Sequence, residues 1–588
     1  MNSFWKTFFA ALLAVIVGFI INLFLIIFFV AGLIGSTSSK ETAPIVKNNT
    51  VLKIDFTTNG LGERTEDMNL SLENIYTGNT GSTLGIYDAV KAVKAAAEDP
   101  KIKMIYLYSD YNMSLGISNG EELRQALKEF RESGKPIIAY GMNYTIGGYY
   151  LASVADKIYM NTEGSAAITG IGGYMLFFKD LADRLGVDIQ LIRHGKFKAA
   201  AEQYIASNIS PENKEQNEVL YGSIWNSWAE EICADRGISK DTFNQAIDNL
   251  ELRDPQSMIN FGLVDTALTT PELYSKVAEL MGVESKKDYN VISLDAYALT
   301  VVNRAKSSNK VAVLYGNGEI TMNGTEGIGA TSFIKEIQKI REDKNIKAVV
   351  FRVNSPGGDA QAAEVIREEL AKLKEEKPIV VSYGDYAASG GYWFSAEAGP
   401  IFSNKTTITG SIGVFSLAMS YGNALKKNLS INNARIGTHK HAGMGSGYAP
   451  LTQEEVSYME SFIEHIYTKF TNIVANGRSL TPEYVDSIGQ GRVWSGIDGL
   501  NNKLVDHIGG LTDAIAYAAK LVDEDSEPSD YKIVEYPVVK SQFETILESL
   551  SNTPNQEELI LVKLRNFFDQ FNGTRVYARL PYVYRMEY

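Results

Sequence analysis

AVVFRVNSPGGDAQAAEVIREELAKLKEEKPIVVSYGDYAASGGYW, residues 348–393, is the stretch that decides the fold. Its apolar runs at 348–353 and 378–384 predict two short buried strands. The charged segment between them, residues 364–376, has the pattern of an amphipathic helix, and Gly390 begins a further helical segment. Strand–helix–strand order is typical of βαβ units in a largely parallel sheet, whose strands are buried on both faces and therefore have continuous apolar runs. The sequence predicts an α/β fold.

A second copy of this pattern lies earlier in the chain. DPKIK at 99–103 matches DKNIK at 343–347, about 240 residues later, and further short matches follow in the same order. A repeat of this length indicates a duplicated domain rather than a solenoid. We therefore predict an N-terminal segment at 1–36, a first half at 50–285, a linker at 286–308, a second half at 309–525 and a tail at 526–588.

The N-terminal segment is strongly apolar. Residues 8–35 contain one polar side chain, Asn22, and no charge. About 20 apolar residues span a bilayer, whereas the apolar region of a cleaved signal peptide is about 7–15 residues long. We expect an uncleaved transmembrane helix within 1–36, and the flanking charges give little information about its orientation.

Composition limits the remaining possibilities. The 588 residues have a net charge of −14 without a basic cluster, which argues against nucleic acid as a partner. Cys233 is the only cysteine, so an intrachain disulfide and a cysteine-based zinc site are both excluded. The five histidines are scattered, and we predict neither a metal site nor a cofactor.

Two glycine-rich turns in the second half have the residue types that acyl-transfer chemistry needs. Gly357 and Gly358 follow one strand, and their N–H groups could approach a developing oxyanion closely. Ser389 follows the next strand and precedes a helix, as in a nucleophile elbow, and the N–H of Gly390 could be a further oxyanion donor. The alternatives are an ordinary βα turn and a serine that only caps a helix. The first half has Ile146 where Ser389 stands, so that copy lacks the reactive hydroxyl.

A serine nucleophile needs a base, and the residues leave more than one candidate. Lys198 and Lys440 occupy equivalent positions in the two halves, each after an Arg-x-Gly turn. A buried lysine loses its charge through desolvation and can then accept a proton. A triad of Ser389 and Asp385 with a histidine is the alternative, using His439 or His441.

Several motifs together carry a family resemblance. They are RVNSPGG (352–358), AASGGYW (387–393), TGSIGVF (409–415) and HGKFKAAAEQY (194–204), combined with the apolar N-terminus and the duplication. The chain resembles the signal peptide peptidase A family, peptidase family S49, in its long duplicated form. The resemblance covers about 50–525 and implies two tandem domains of the Clp-protease/crotonase type.

The resemblance also assigns expected roles. It implies that Ser389 is the nucleophile, Lys198 the general base and acid, and Ser411 the hydroxyl that orients the lysine. Lys440 would then have no catalytic role. It further implies a homotetramer with a bowl shape.

The expected function follows from these roles. We expect a single-pass, membrane-anchored serine endopeptidase that degrades cleaved signal peptides and other apolar peptides. Its body would lie on the extracytoplasmic side of a bacterial-type inner membrane. A crotonase-like acyl-transfer enzyme and a non-catalytic membrane scaffold remain the alternatives.

Overall fold

The computed structural model describes residues 44–57, 60–66, 83–110, 115–301, 307–324, 327–538 and 576–580. The predicted membrane anchor lies outside these residues. Of the helices within these ranges, none is both long and apolar enough to cross a bilayer.

The first half alternates strands and helices as predicted. Its strands are β1 Thr50–Asp55, β2 Gly60–Gly62, β3 Thr83–Gly85, β4 Ile102–Ser109, β5 Ile137–Thr145, β6 Lys157–Ala167, β7 Asp188–Arg193, β8 Thr266–Ala267 and β9 Asn290–Ser293. Its helices are α1 Ile86–Glu98, α2 Ile117–Glu132, α3 Ile146–Ala152, α4 Lys179–Leu185, α5 Glu202–Ile205, α6 Pro211–Arg236, α7 Lys240–Asp248, α8 Pro255–Asn260, α9 Thr270–Met281 and α10 Leu294–Ala298.

The second half repeats this order, and two strands follow it. The strands are β10 Lys310–Asn317, β11 Ile320–Thr321, β12 Ile328–Gly329, β13 Ile346–Ser355, β14 Gly357–Asp359, β15 Ile379–Ala388, β16 Ile401–Ser403, β17 Ile408–Gly410, β18 Phe415–Ser420, β19 Val493–Ser495, β20 His507–Ile508, β21 Lys532–Tyr536 and β22 Tyr577–Arg579. The helices are α11 Ala330–Glu342, α12 Ala360–Glu376, α13 Gly390–Ser395, α14 Gly422–Leu429, α15 Gln453–Arg478, α16 Pro482–Ile488, α17 Gly496–Asn501 and α18 Leu511–Val522.

Each half contains a central sheet, and the two strand orders correspond. The first sheet has the order β8-β6-β5-β4-β1-β9 and the second β19-β17-β15-β13-β10-β21, with β16 and β20 attached at β15. All pairings in these sheets are parallel except that between β17 and β19. The predicted α/β class is confirmed.

The predicted boundaries miss the last strand of each sheet. The predicted linker 286–308 contains β9, which pairs in parallel with β1. The predicted tail likewise contains β21, which pairs in parallel with β10. In both halves the added strand satisfies backbone groups along an edge that would otherwise be unpaired.

The two halves share a core. Helix α18 covers one face of the second sheet, in a cluster that includes Val313 and Val350; beside it, α1 of the first half packs against α18, and α2 packs against β15. Arg352 on β13 is buried in this contact and forms ion pairs with Glu63 (2.6 Å) and Glu122 (2.9 Å), both from the first half. A buried guanidinium is tolerated only when it is paired, so this contact fixes how the halves meet.

A third sheet contains strands from both halves and from the tail. Its order is β12-β11-β14-β22-β18-β7. Strand β7 of the first half pairs antiparallel with β18 of the second, from Arg193 opposite Phe415 to Asp188 opposite Ser420. The chain that follows β7 is thereby brought to the glycine-rich turns of the second half.

Candidate active site

Ser389 lies on a sharp turn between β15 and α13. Its backbone has φ 55° and ψ −114°, and positive φ is uncommon outside glycine. The Ser389 N–H donates to the carbonyl of Gly410 (2.8 Å), which holds the turn. The hydroxyl makes no capping hydrogen bond, whereas in the first half Thr145 caps α3 by accepting from the N–H of Gly148. Ser389 is therefore not a simple helix cap.

Lys198 reaches Ser389 from the other half of the chain. Its Nζ lies 2.8 Å from Ser389 Oγ, 3.0 Å from Ser411 Oγ and 3.2 Å from the Ser411 carbonyl oxygen. All three side chains have no solvent exposure. The structure thus brings together the three side chains that the resemblance named, and it does so within one chain.

Glycines and backbone contacts hold the lysine in place. Gly491 has φ +85°, and a Cβ there would come within 2.5 Å of the Lys198 backbone and Cβ. The Phe197 N–H donates to the carbonyl of Gln490 (3.0 Å), and the guanidinium of Arg193 donates to the carbonyl of Lys198 (2.7 Å). Gln490 and Gly491 thus hold the lysine segment against the loop before β19, where only a residue without a side chain fits at Gly491, and Arg193 holds it from the end of β7.

The surroundings of the lysine favour its neutral form. Burial lowers the pKa of Lys198 well below its usual value, because an ammonium group loses its hydration there. The hydrogen-bond partners of its Nζ in the described chain are the two serines, which carry no charge to restore that pKa. An unprotonated amine beside a serine hydroxyl is the arrangement that a general base requires.

The glycines predicted as oxyanion donors lie next to one another. Gly357 has φ +99°, and a Cβ there would come within 2.8 Å of the Gly390 nitrogen. A Cβ on Gly390 would in turn lie 3.2 Å from the nitrogen of Gly358. Two backbone turns therefore approach more closely than side chains would allow. The Gly357 N–H donates to Ser355 Oγ (3.2 Å), which leaves the N–H groups of Gly358 and Gly390 as the candidate oxyanion donors.

The triad alternative is not assembled. Lys440 lies on a surface loop, where its side chain is 73% exposed and pairs with Glu454. His439 contacts Thr438 and His441 contacts Glu455, each through Nδ1. Lys440, His439 and His441 thus pair with residues other than Ser389.

Asp385 takes part in the contact between the halves. Its carboxylate accepts from the N–H of Ser118 (2.8 Å) at the start of α2. Burial raises its pKa to about 6, with Glu63 adding to the effect. Asp385 therefore joins the elbow strand to the first half rather than orienting a base.

One participant at this site comes from the tail. The tyrosine-rich sequence of 575–588 predicts a docked strand or an assembly contact, and strand β22 within it pairs antiparallel with β14, with Gly358 opposite Ala578. Its position alongside the oxyanion glycines could not be read from the sequence. The equivalence of Arg193 and Arg435 in the repeat was visible, but the role of Arg193 in holding the lysine segment was not.

Comparison with known proteins agrees with this geometry. The family model described as "Peptidase family S49" matches twice, at residues 129–284 and 371–525. The chain is 33% identical over 534 residues to "Protease 4" of Haemophilus influenzae, covering 88% of this chain and 86% of that protein. It is 35% identical over 447 residues to "Protease 4" of Salmonella typhi, covering 74% and 72%.

A plant relative extends the comparison. "Serine protease SPPA, chloroplastic" of Arabidopsis thaliana is 30% identical over 433 residues, covering 72% of this chain and 64% of that protein. The two matches to the family model coincide with the duplication, and Ser389 lies within the second and Lys198 within the first. The chain belongs to peptidase family S49, in its duplicated form, and is a serine-type peptidase.

Proposed function

We propose that this protein is a membrane-anchored endopeptidase that cleaves apolar peptides, including cleaved signal peptides, with a Ser389–Lys198 dyad. The observation that carries the proposal is the 2.8 Å contact between Lys198 Nζ and Ser389 Oγ in a site without solvent exposure. The convergent glycines and Ser411 supply the remaining parts of an acyl-transfer site.

The reaction follows from these groups. The neutral amine of Lys198 accepts the Ser389 proton, and the alkoxide attacks the peptide carbonyl. The N–H groups of Gly390 and Gly358 stabilise the tetrahedral oxyanion, since that of Gly357 donates to Ser355 Oγ. The Lys198 ammonium protonates the leaving amine, and water then hydrolyses the acyl-enzyme by the reverse sequence. Ser411 keeps the Nζ directed at Ser389 throughout.

The substrate class rests on the N-terminal sequence. An apolar run of 28 residues, 8–35, is long enough to span a bilayer. Such an anchor would hold the catalytic body beside a membrane, where apolar signal peptides remain after cleavage. The proposed location is the extracytoplasmic side of a bacterial-type inner membrane.

A homotetramer is supported by an asymmetry between the halves. One face of the second sheet is covered by α18 and, beside it, by α1 and α2 of the first half, whereas the equivalent face of the first sheet has only the counterpart of α18, α9, among these helices. The equivalent face of the first sheet instead borders a cleft of about 480 Å³, lined by several tyrosines that include Tyr106, Tyr108 and Tyr140. Helices α11 and α12 of a second copy, equivalent to α1 and α2, would cover that face. Repeating this contact would alternate the halves around a closed ring of four chains.

Three variants of the full chain in detergent test the dyad. We expect Ser389→Ala to abolish hydrolysis of an apolar peptide, and Lys198→Ala to lower it by at least about 10³-fold, since only binding and oxyanion effects remain. Lys440→Ala is the matched control, and we expect a change of less than about tenfold. Greater loss in Lys440→Ala than in Lys198→Ala would contradict the assignment.

A serine-reactive probe separates the alternatives. Mass spectrometry should find the probe on Ser389 in the unaltered chain and not in Lys198→Ala. A non-catalytic scaffold would show no adduct. A crotonase-like acyl-transfer enzyme would keep its activity in Ser389→Ala.

A further inference from the structure

Lys198 lies on a stretch of chain without regular secondary structure. Strand β7 ends at Arg193, and α5 begins at Glu202. A lysine side chain has a flexible four-carbon stem, and a site on a loop is less precise than one on a helix or strand. Other contacts must therefore fix the backbone here, and the contacts of the neighbouring Phe197 show which side chains do so.

Gln216 on α6 holds the backbone of Phe197. Its Nε2 donates to the Phe197 carbonyl (3.0 Å) and to Asn213 Oδ1 (3.0 Å), while its Oε1 accepts from the N–H of Val493 (3.4 Å). The side chain has no solvent exposure. A buried amide whose donor and acceptor atoms are all paired is held in one orientation. Gln216 therefore fixes the carbonyl that precedes Lys198.

The other end of the Gln216 amide is connected to the serine side of the site. Val493 begins β19 and pairs with Gly410 on β17. The carbonyl of Gly410 accepts the N–H of Ser389 (2.8 Å). One buried amide from the first half thus bridges the chain beside Lys198 and the strand pair that holds the serine turn.

Arg492 holds the ring of the same phenylalanine. Its guanidinium carbon lies 4.7 Å from the ring centroids of both Phe197 and Trp494, and its Nη1 pairs with Glu215 on α6 (3.1 Å). The Arg492 carbonyl accepts the N–H of Ser411 (2.8 Å). A guanidinium held by two rings and a carboxylate has little freedom, so Arg492 connects Phe197 to the serine beside the catalytic amine.

The internal repeat links Gln216 to the lysine that contacts a serine. Helices α6 and α15 are both 26 residues long and are capped by Ser210 and Thr452, so Gln216 corresponds to Tyr458. Tyr458 is 65% exposed, and the lysine of that copy, Lys440, lies on the surface. The buried amide is thus present in the copy whose lysine reaches the active site.

We propose that Gln216 is a positioning residue for the general base and that Arg492 assists it: together they fix Phe197 and thereby direct the Nζ of Lys198 at Ser389. The hydrogen bonds of Gln216 within the described chain go to other residues than the reacting pair, so it acts through the backbone. This inference rests on the proposed function and adds residues that lie outside the sequence motifs of the site.

Gln216→Met in the full chain tests the proposal. Methionine has a similar length and cannot pair with the Phe197 carbonyl, so the chain beside Lys198 loses a fixed point. We expect kcat for an apolar peptide to fall by about 10- to 10²-fold, since small displacements of a catalytic group are costly. KM should change by less than about threefold, because the buried Gln216 does not reach the substrate. Unchanged kcat would overturn the proposal.

Tyr149→Phe is the control for lost stability. It also removes a fully buried hydrogen-bond donor from the first half, the hydroxyl that donates to the Leu263 carbonyl (2.6 Å), but on α3. Both variants should lower the midpoint of thermal unfolding, and only Gln216→Met should lower kcat. Equal losses of kcat would mean that general destabilisation, and not the position of Lys198, is responsible.

The pH profile of hydrolysis separates a displaced base from lost stability. Displacement of the Nζ from its buried position should raise the pKa of Lys198 toward its usual value, because the ammonium regains hydration. The rising limb of kcat/KM should therefore move to higher pH in Gln216→Met and stay in place in Tyr149→Phe. A limb at the same pH in all three proteins would contradict a displaced base.

Arg492→Met is a second variant, and it decides the question if Gln216→Met unfolds below the assay temperature. We expect the same direction of change in kcat and in the rising limb. Lys214→Met is its control, since it removes the same charge and an ion pair with Glu218 on the exposed side of α6. Its kcat and pH profile should be unchanged, and equal effects of the two variants would refute a specific role for Arg492.

The two proposals fail in different ways. Full activity in Lys198→Ala would refute the dyad, whatever the result for Gln216→Met. Loss of activity in Lys198→Ala, with unchanged kcat and pH profile in both Gln216→Met and Arg492→Met, would refute this inference alone.

Discussion

Lys198 is buried for catalysis at a cost in stability. The unfolded chain holds this lysine as a cation up to its usual pKa of 10.5, whereas the folded chain lowers the pKa well below that value through burial. The unfolded state therefore binds more protons, and stability due to this group rises with pH between the lowered and the usual pKa. Below the lowered pKa the penalty is constant.

The lowered pKa of Lys198 leads to a prediction about thermal stability. Replacement of Lys198 by methionine, which has similar length and no charge, should raise the midpoint of thermal unfolding at pH 7. The gain should shrink as the pH approaches 10.5. Scanning calorimetry of both proteins across that range measures it, and a gain that does not depend on pH would show that the lysine is charged in the folded protein.

The same lowered pKa predicts how activity depends on pH. Below it Lys198 is an ammonium ion, and above it a base, so kcat/KM should rise with pH through the lowered pKa. Asp385 has a raised pKa of about 6 and could obscure this limb. Asp385→Asn is therefore the control, and its rising limb should remain at the same pH. Loss of the limb in Asp385→Asn would assign it to the carboxylate.

Most residues of the site could be predicted from the sequence because acyl-transfer chemistry needs particular residue types. Ser389, which lies between small residues, and the paired glycines 357 and 358 could be identified from the local sequence and the repeat alone. The choice between Lys198 and Lys440 could not be made from spacing, because both follow an Arg-x-Gly turn. It depends on β7 pairing with β18, a contact between segments more than 200 residues apart in sequence.

Strand–helix alternation was predictable, but short strands were not. The long apolar runs of β13 and β15 and the amphipathic α12 have the patterns that sequence reasoning uses. Strands β9 and β21 lie outside the predicted halves, since four or five residues with partial burial give no clear period. They form because a neighbouring edge is available, which is information from tertiary structure.

The loop before β19 positions Lys198, and a substitution of Gly491 tests this role. Gly491→Ala should place a methyl group against the Lys198 backbone, displace the Nζ and lower kcat by about 10²-fold, as small misplacements in active sites do. Gly237→Ala is the control: it also has positive φ, but a Cβ there meets nothing within 4 Å. Both variants are measured for kcat and thermal unfolding, and equal activity losses would mean that backbone strain, not displacement, is responsible.

Both halves of one chain supply each site in this arrangement. We expect that chains with Ser389→Ala, co-expressed with chains with Lys198→Ala, remain inactive even when they assemble together, because neither chain holds an intact pair. The measurement is peptide hydrolysis by mixed assemblies purified through two different tags. Recovery of activity would show that lysine and serine meet between chains. The contact between the halves was not readable from patterns, since it joins segments far apart in sequence, such as Arg352 with Glu63.

The division of Lys198 and Ser389 between the repeats has a genetic consequence. Homologous recombination between the two copies within one gene deletes a repeat and leaves a hybrid that begins as the first copy and ends as the second. In each copy the elbow precedes the lysine turn, so such a hybrid carries Ser389 with Lys440, Ile146 with Lys440, or Ile146 with Lys198, depending on whether the exchange falls before the elbow, between the two elements or after the lysine turn. No single exchange yields Ser389 with Lys198. Once the copies had specialised, the gene could not return to one repeat by the route that commonly removes duplications.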